Sequence, residues 1–120
     1  FLYFEETDFC LRAYKRNQKI YVLTDTRVTH KGGWSVNLEN KLDIEANKHW
    51  HFMWSKFYYF KKNYSLVKAY QKTLIDFFES IFKYILYFSI DYRKKVIFYN
   101  KISGLFNSFI GNKPYKRIDN

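Results

Sequence analysis

Apolar spacing in the second half of the chain constrains the fold more than any other feature of the sequence. Between residues 67 and 88 the apolar side chains recur every three or four positions, at Val67, Tyr70, Leu74, Phe77, Phe78, Ile81, Ile85 and Phe88. Because an α-helix has 3.6 residues per turn, this spacing collects them on one face and leaves charged residues on the other. The run therefore predicts a long amphipathic helix.

The same spacing predicts one helix on either side of this run. Residues 42–60 carry the apolar set Leu42, Ala46, Trp50, Met53, Phe57 and Phe60, and residues 92–110 carry Phe98, Ile102, Leu105, Phe106 and Phe109. We expect the first of these helices to break at Lys62 and Asn63, and the last to end at Gly111 and Pro114. Apolar faces of this kind either pack on one another, as in a helical hairpin, or lie in a membrane interface. Packing is the simpler expectation.

The first 38 residues predict a different architecture. Residues 5–16 begin with acidic and end with basic side chains, which suits a helix dipole, and Asp8 can pair with Arg12 one turn later. Residues 19–23 and 27–30 are rich in β-branched or aromatic side chains and predict two short β-strands. The expected fold class is thus α+β but mostly α, with a mixed segment over 1–38 followed by a helical, basic tail over 39–120.

Positive charge is concentrated in this tail. The chain has 21 Lys and Arg against 11 Asp and Glu, a net charge of +10, and residues 46–120 hold fourteen of the basic side chains but four of the acidic ones. A basic surface attracts nucleic acid, an anionic membrane face or acidic glycans. The basic positions are scattered over several helices without a nucleic-acid-binding motif, so we expect no nucleic-acid partner. A basic aromatic module that binds nucleic acid, or that acts as a dimerisation element, is the alternative hypothesis.

Two further features narrow the class of protein. The most apolar stretch, residues 81–90, is far shorter than the ~20 apolar residues that a membrane-spanning helix needs. Cys10 is the single cysteine, so an internal disulfide framework is excluded.

Two short motifs carry the candidate chemistry. The run FLYFEETDFCLR at residues 1–12 presents three carboxylates, and VTHKGG at residues 28–33 places a histidine before a glycine pair. Together they resemble the C-terminal half of the catalytic domain of family 2 glycosyltransferases, in particular the bacterial rhamnosyltransferase-like members. In that family, aromatic-Glu-Asp/Glu-x-Asp-apolar-Cys-x-Arg is followed by His-x-Gly-Gly.

The resemblance implies a fold and a set of site residues. Residues 1–38 would be the acceptor-side end of a GT-A domain, and the chain would be a fragment whose nucleotide-binding half, with its Asp-x-Asp motif, lies elsewhere. Glu6 would be the catalytic base that takes the proton of the acceptor hydroxyl. The substrate-binding residues implied are Glu5, Asp8, Lys31, Gly32, Gly33 and Trp34. His30 would help to hold a divalent metal ion, Mg²⁺ or Mn²⁺, bound mainly by the other half.

The function that the resemblance implies is inverting transfer of a sugar from a nucleotide-sugar donor to a lipid-linked or cell-surface polysaccharide acceptor. The fragment alone is expected to be inactive. The basic helical tail would hold the enzyme in the cytoplasm, peripherally at the inner, anionic face of the cell membrane. The same tail could also form a homodimer.

Overall fold

Four α-helices make up the fold. The structure is a computed structural model of the 120-residue chain, and it describes residues 2–29, 41–114 and 116. The helices, in chain order, are α1 (Glu5–Lys15), α2 (Lys41–Asn63), α3 (Leu66–Tyr87) and α4 (Tyr92–Phe109). All four helices expected from the sequence are therefore confirmed, and α2 ends at the predicted break.

The predicted α+β fold class is wrong. None of the described residues forms a β-strand, and the two segments expected as strands are irregular, with the last residue of the second outside the described ranges. The apolar side chains of the first segment, from Ile20 to Leu23, are each more than half exposed. Strand propensity is expressed only where a neighbouring strand and a covered face exist, and an isolated pair of short strands is marginal in water. The described part of the chain provides neither a neighbouring strand nor a surface that covers these segments.

The core lies where α2, α3 and α4 pack on one another. Its fully buried members are Phe57 from α2, Ala69 from α3 and Leu105 from α4. Phe109 joins the three helices, since its ring centre lies 4.8 Å from that of Phe57 and 5.3 Å from that of Phe77. Aromatic contacts of this kind add to the free energy gained by apolar burial.

The helices α2 and α4 approach each other closely at Gly104. A Cβ atom at this position would lie 2.3 Å from the carbonyl oxygen of Trp50, so no other residue fits without displacing backbone. Two hydrogen bonds hold this contact: the Trp50 indole donates to Ser103 Oγ over 3.0 Å, and the Ser108 hydroxyl donates to the Trp54 carbonyl over 3.0 Å. The buried Trp50 indole and Ser108 hydroxyl are thereby satisfied.

Short turns connect the three helices of the core. Ser65 caps α3 by accepting a hydrogen bond from the Lys68 backbone N–H, and Asp91 caps α4 by accepting one from Lys94. Gly111, with a φ of +82°, ends the last turn after α4. Among the helices of the described ranges, none is long and apolar enough to cross a membrane.

Candidate functional site

The acidic helix α1 is fastened to the C-terminal end of α2 through Asp8. The ammonium group of Lys62 donates to both carboxylate oxygens at 2.9 and 2.8 Å, and the Asn63 amide donates to Oδ1 at 2.8 Å. Arg12, one turn along α1, donates to Oδ2 at 3.0 Å. The carboxylate thus accepts four hydrogen bonds while Asp8 as a whole is only 4 % exposed.

These contacts set the charge state of Asp8. Burial alone would raise its pKa, but the hydrogen bonds from Lys62, Asn63 and Arg12 outweigh that effect and lower the pKa to about 2. Asp8 is therefore ionised at neutral pH, and its lone pairs are directed at protein donors. A carboxylate in this environment is a poor proton acceptor and a good structural anchor.

The aromatic residues that precede α1 also bind it to α2. The Phe4 ring lies 5.4 Å from Phe52 and 5.3 Å from Tyr59, measured between ring centres. The Leu2 backbone N–H donates to Ser55 Oγ over 3.2 Å. The start of α1 is thus attached to α2 both by the ring contacts of Phe4 and by the hydrogen bonds of Asp8.

Glu5 and Glu6 occupy the exposed part of this first turn. Residues two apart on a helix lie about 200° apart, so Glu6 points away from the α2 surface that Asp8 contacts. Within the described part of the chain the side chain of Glu6 forms no hydrogen bond and no ion pair. The pKa of the nearby Tyr3 hydroxyl is raised, first by burial and then by the negative charge of Glu5. Acidic groups at this end of a helix are favoured by its dipole.

A cleft of about 390 Å³ lies next to the contact between α1 and the end of α2. One wall is formed by α2, where the rings of Trp54 and Tyr58 stack with centres 5.0 Å apart. The other comes from the end of α4 and the residues after it, including Lys113. Lys62 of α2 lines this cleft and also donates hydrogen bonds to Asp8 of α1. It therefore connects the cleft to α1. Lysine side chains near the C-terminal ends of α2 and α4 are favoured by the negative ends of the helix dipoles. This effect is a sufficient reason for the positive charge of the cleft.

The sequence predicts one of the contacts of Asp8 and does not predict the others. The pair formed by Asp8 and Arg12 was expected from their spacing of four and is present at 3.0 Å. Lys62 and Asn63 were expected only as a helix break, although they supply three of the four hydrogen bonds to Asp8. The one available signal was a polar pair at the end of an apolar helix, which does not specify a partner 54 residues away.

The candidate site residues of the second predicted motif lie outside the described residues, although Val28 and Thr29 before them are described. The candidate residues are His30, expected as a metal ligand, and Lys31, Gly32, Gly33 and Trp34, expected to bind substrate. In the ranges that are described, no group of three or more His, Cys, Asp or Glu side chains is arranged to hold a metal ion. His51 instead uses Nε2 for a 2.8 Å hydrogen bond with the Lys116 carbonyl.

Comparison of the chain with protein-family models, curated proteins and solved structures gives no match.

Proposed function

We propose that this chain supplies the acceptor-activating carboxylate of an inverting glycosyltransferase similar to family 2. The donor is a nucleotide-sugar, and the acceptor is a lipid-linked or cell-surface polysaccharide. Glu6 is the base, while Glu5 contacts the acceptor. The role of Asp8, considered above as a substrate-binding residue, is instead to position α1.

One observation carries the proposal: two carboxylates on a single helix turn have opposite environments. Asp8 accepts four hydrogen bonds and fixes the helix, whereas Glu6 is exposed and has no protein partner among the described residues. A general base has to be held rigidly by the scaffold and yet remain open to the proton that it takes. The two residues divide these requirements between them.

The reaction follows from ordinary acid–base chemistry. The Glu6 carboxylate accepts the proton of an acceptor hydroxyl as that oxygen attacks the anomeric carbon of the donor sugar. The new carbon–oxygen bond forms while the bond from the anomeric carbon to the diphosphate oxygen breaks, and its electron pair leaves with the diphosphate. Attack from the face opposite the leaving group inverts the anomeric configuration. The candidate metal ligand His30 lies outside the described residues, so the proposal assigns no step to a metal ion.

We place the enzyme at the inner face of the cytoplasmic membrane, as a peripheral protein. A lipid-linked acceptor would be presented there, and the net charge of +10 favours an anionic surface. Each basic side chain near such a surface contributes about 1 kcal/mol to binding.

The test is transfer of sugar by the full-length protein that contains this chain, with membrane extract as the acceptor. Glu6→Gln keeps the size of the side chain but removes its basicity, so we expect transfer to fall at least ~100-fold while donor binding persists. Asp25→Asn is the matched control, because it removes an exposed carboxylate outside the helices. Retention of more than about a tenth of the wild-type rate by Glu6→Gln would eliminate Glu6 as the base.

A further inference from the structure

The fully buried residues of α3 are small, while many of its large apolar residues are exposed. Its buried residues are Ala69, Thr73 and Ser80, which are small and partly polar. Tyr70 and Phe77 pack partly against the core, but seven other large apolar residues are between 38 and 78 % exposed: Val67, Leu74, Ile75, Phe78, Phe82, Ile85 and Leu86. We name these seven residues the outer face of α3. A helix that is free in water would show the opposite preference.

The outer face is large, and it is interrupted only by the exposed Gln71 between Val67 and Leu74. At 100° per residue its members fall within an arc of roughly 120°, so they form one stripe along the helix. Seven such side chains, exposing about 100 Å² each, present on the order of 700 Å² of apolar surface, which exceeds the ~300–600 Å² of the largest patch on a typical monomer. An apolar surface of this size requires a partner.

Basic residues border the outer face. Lys68, Lys72 and Lys83 lie along one margin, and Lys83 pairs with Glu79. At its far end the face continues into the exposed residues Phe88, Ile90 and Tyr92 at the turn into α4.

Three basic residues, Arg93, Lys94 and Lys95, follow this turn directly. The ammonium group of Lys95 lies 4.8 Å from the ring centre of Phe88 and 5.3 Å from that of Tyr92. Apolar, aromatic and cationic groups thus meet at one end of the stripe.

We infer that the outer face of α3 lies in the interfacial region of a bilayer that contains anionic phospholipid. This inference rests on the peripheral membrane location proposed above and identifies the surface responsible. Residues 66–101 carry seven basic and three acidic side chains, which complements a negatively charged lipid surface. A second copy of the chain fits less well, because both copies would bring like-charged margins together. An interfacial helix buries its apolar face about 5–10 Å deep and keeps its cationic margin at the headgroups.

The experiment is co-sedimentation of the chain with vesicles of phosphatidylcholine containing phosphatidylglycerol, compared with vesicles of phosphatidylcholine alone. We expect Phe78→Gln/Phe82→Gln to lower the partition coefficient on anionic vesicles at least tenfold. Both side chains are mostly exposed, so the folded state tolerates the change. The matched control is Phe9→Gln/Tyr14→Gln, which removes two exposed aromatic residues from α1 and should stay within twofold of wild type.

Two further arms isolate the charge and the fold. Lys94→Gln/Lys95→Gln should weaken binding to anionic vesicles about fivefold per lysine and leave binding to neutral vesicles unchanged. Ile75→Gln/Ile85→Gln repeats the apolar test with different residues, and circular dichroism verifies that each variant is folded. If neither apolar pair reduces binding, or if the wild type does not bind anionic vesicles, the inference is wrong. It is also wrong if the lipid-free wild type sediments as a dimer that Phe78→Gln/Phe82→Gln dissociates.

Vesicle binding and sugar transfer fail independently. Glu6→Gln should bind vesicles like the wild type, since Glu6 lies on α1 and is not part of the outer face. Lipid binding without any transfer activity would remove the enzyme proposal and keep the membrane surface. If the protein transfers sugar but its α3 variants bind lipid normally, the enzyme proposal stands and the membrane surface on α3 is wrong.

Discussion

Replacing Asp8 with Asn removes the charge that fastens α1 to α2. The pKa of Asp8 is about 2 in the folded chain against an ordinary value of 3.8, a difference that corresponds to about 2 kcal/mol at ~1.36 kcal/mol per pKa unit. The side chains of Arg12 and Lys62 are 52 and 40 % exposed, so solvent weakens their attraction for the carboxylate. We therefore expect Asp8→Asn to lower the free energy of unfolding by about 1–2 kcal/mol at neutral pH.

The effect of Asp8→Asn has a defined pH dependence. Because folding lowers the pKa of Asp8, its contribution is fully present above the unfolded pKa near 4 and is lost as the pH falls toward 2. The difference in unfolding free energy between wild type and Asp8→Asn should thus shrink by about half between pH 7 and pH 3.

Urea unfolding at pH 7, 4 and 3 measures this difference, with the fluorescence of the buried Trp50 and Trp54 as the signal. Asp25→Asn, an exposed carboxylate outside the helices, is the control and should change stability by less than ~0.5 kcal/mol. A double-mutant cycle of Asp8→Asn with Lys62→Met isolates the ion pair. The reasoning fails if Asp8→Asn costs less than ~0.5 kcal/mol at pH 7, or if its cost is the same at pH 7 and pH 3.

Two pairs of substitutions test the core by the same unfolding assay. Gly104→Ala should destabilise the fold by about 2–3 kcal/mol, because its Cβ would meet the Trp50 carbonyl oxygen at 2.3 Å, whereas Gly111→Ala has open space and a strained φ that costs only about 1 kcal/mol. Phe57→Ala empties a fully buried site and should cost about 3–5 kcal/mol, while Phe78→Ala, on the outer face, should stay within about 0.5 kcal/mol. A reversed order within either pair would contradict the described packing.

The helices were predictable because their signals are local. Each of α2, α3 and α4 is specified by apolar spacing within its own residues, and their ends coincide with polar or turn-forming positions. The two predicted β-strands failed for the complementary reason. Residues 19–23 have the composition of a strand, but a strand also needs a partner edge, and composition does not report whether one is present.

The candidate site shows the same division between local and distant information. The four-residue spacing of Asp8 and Arg12 is local and correctly predicted their pairing. Lys62 and Asn63 reach Asp8 only because α2 folds back beside α1, so no pattern near either end contains the contact. The expected roles of Glu5 and Glu6 depend on a substrate and remain predictions.

The width of the apolar stripe on α3 carries information that its spacing alone does not. Tyr70 and Phe77 are partly buried against the core, while Phe78 and Ile85, members of the same predicted stripe, are exposed. The core formed with α2 and α4 covers only one part of the circumference of α3. The small buried residues of α3 lie in that covered part. A stripe that extends beyond it leaves apolar surface for a second partner. The excess width of the stripe is thus a physical reason to look for a membrane contact.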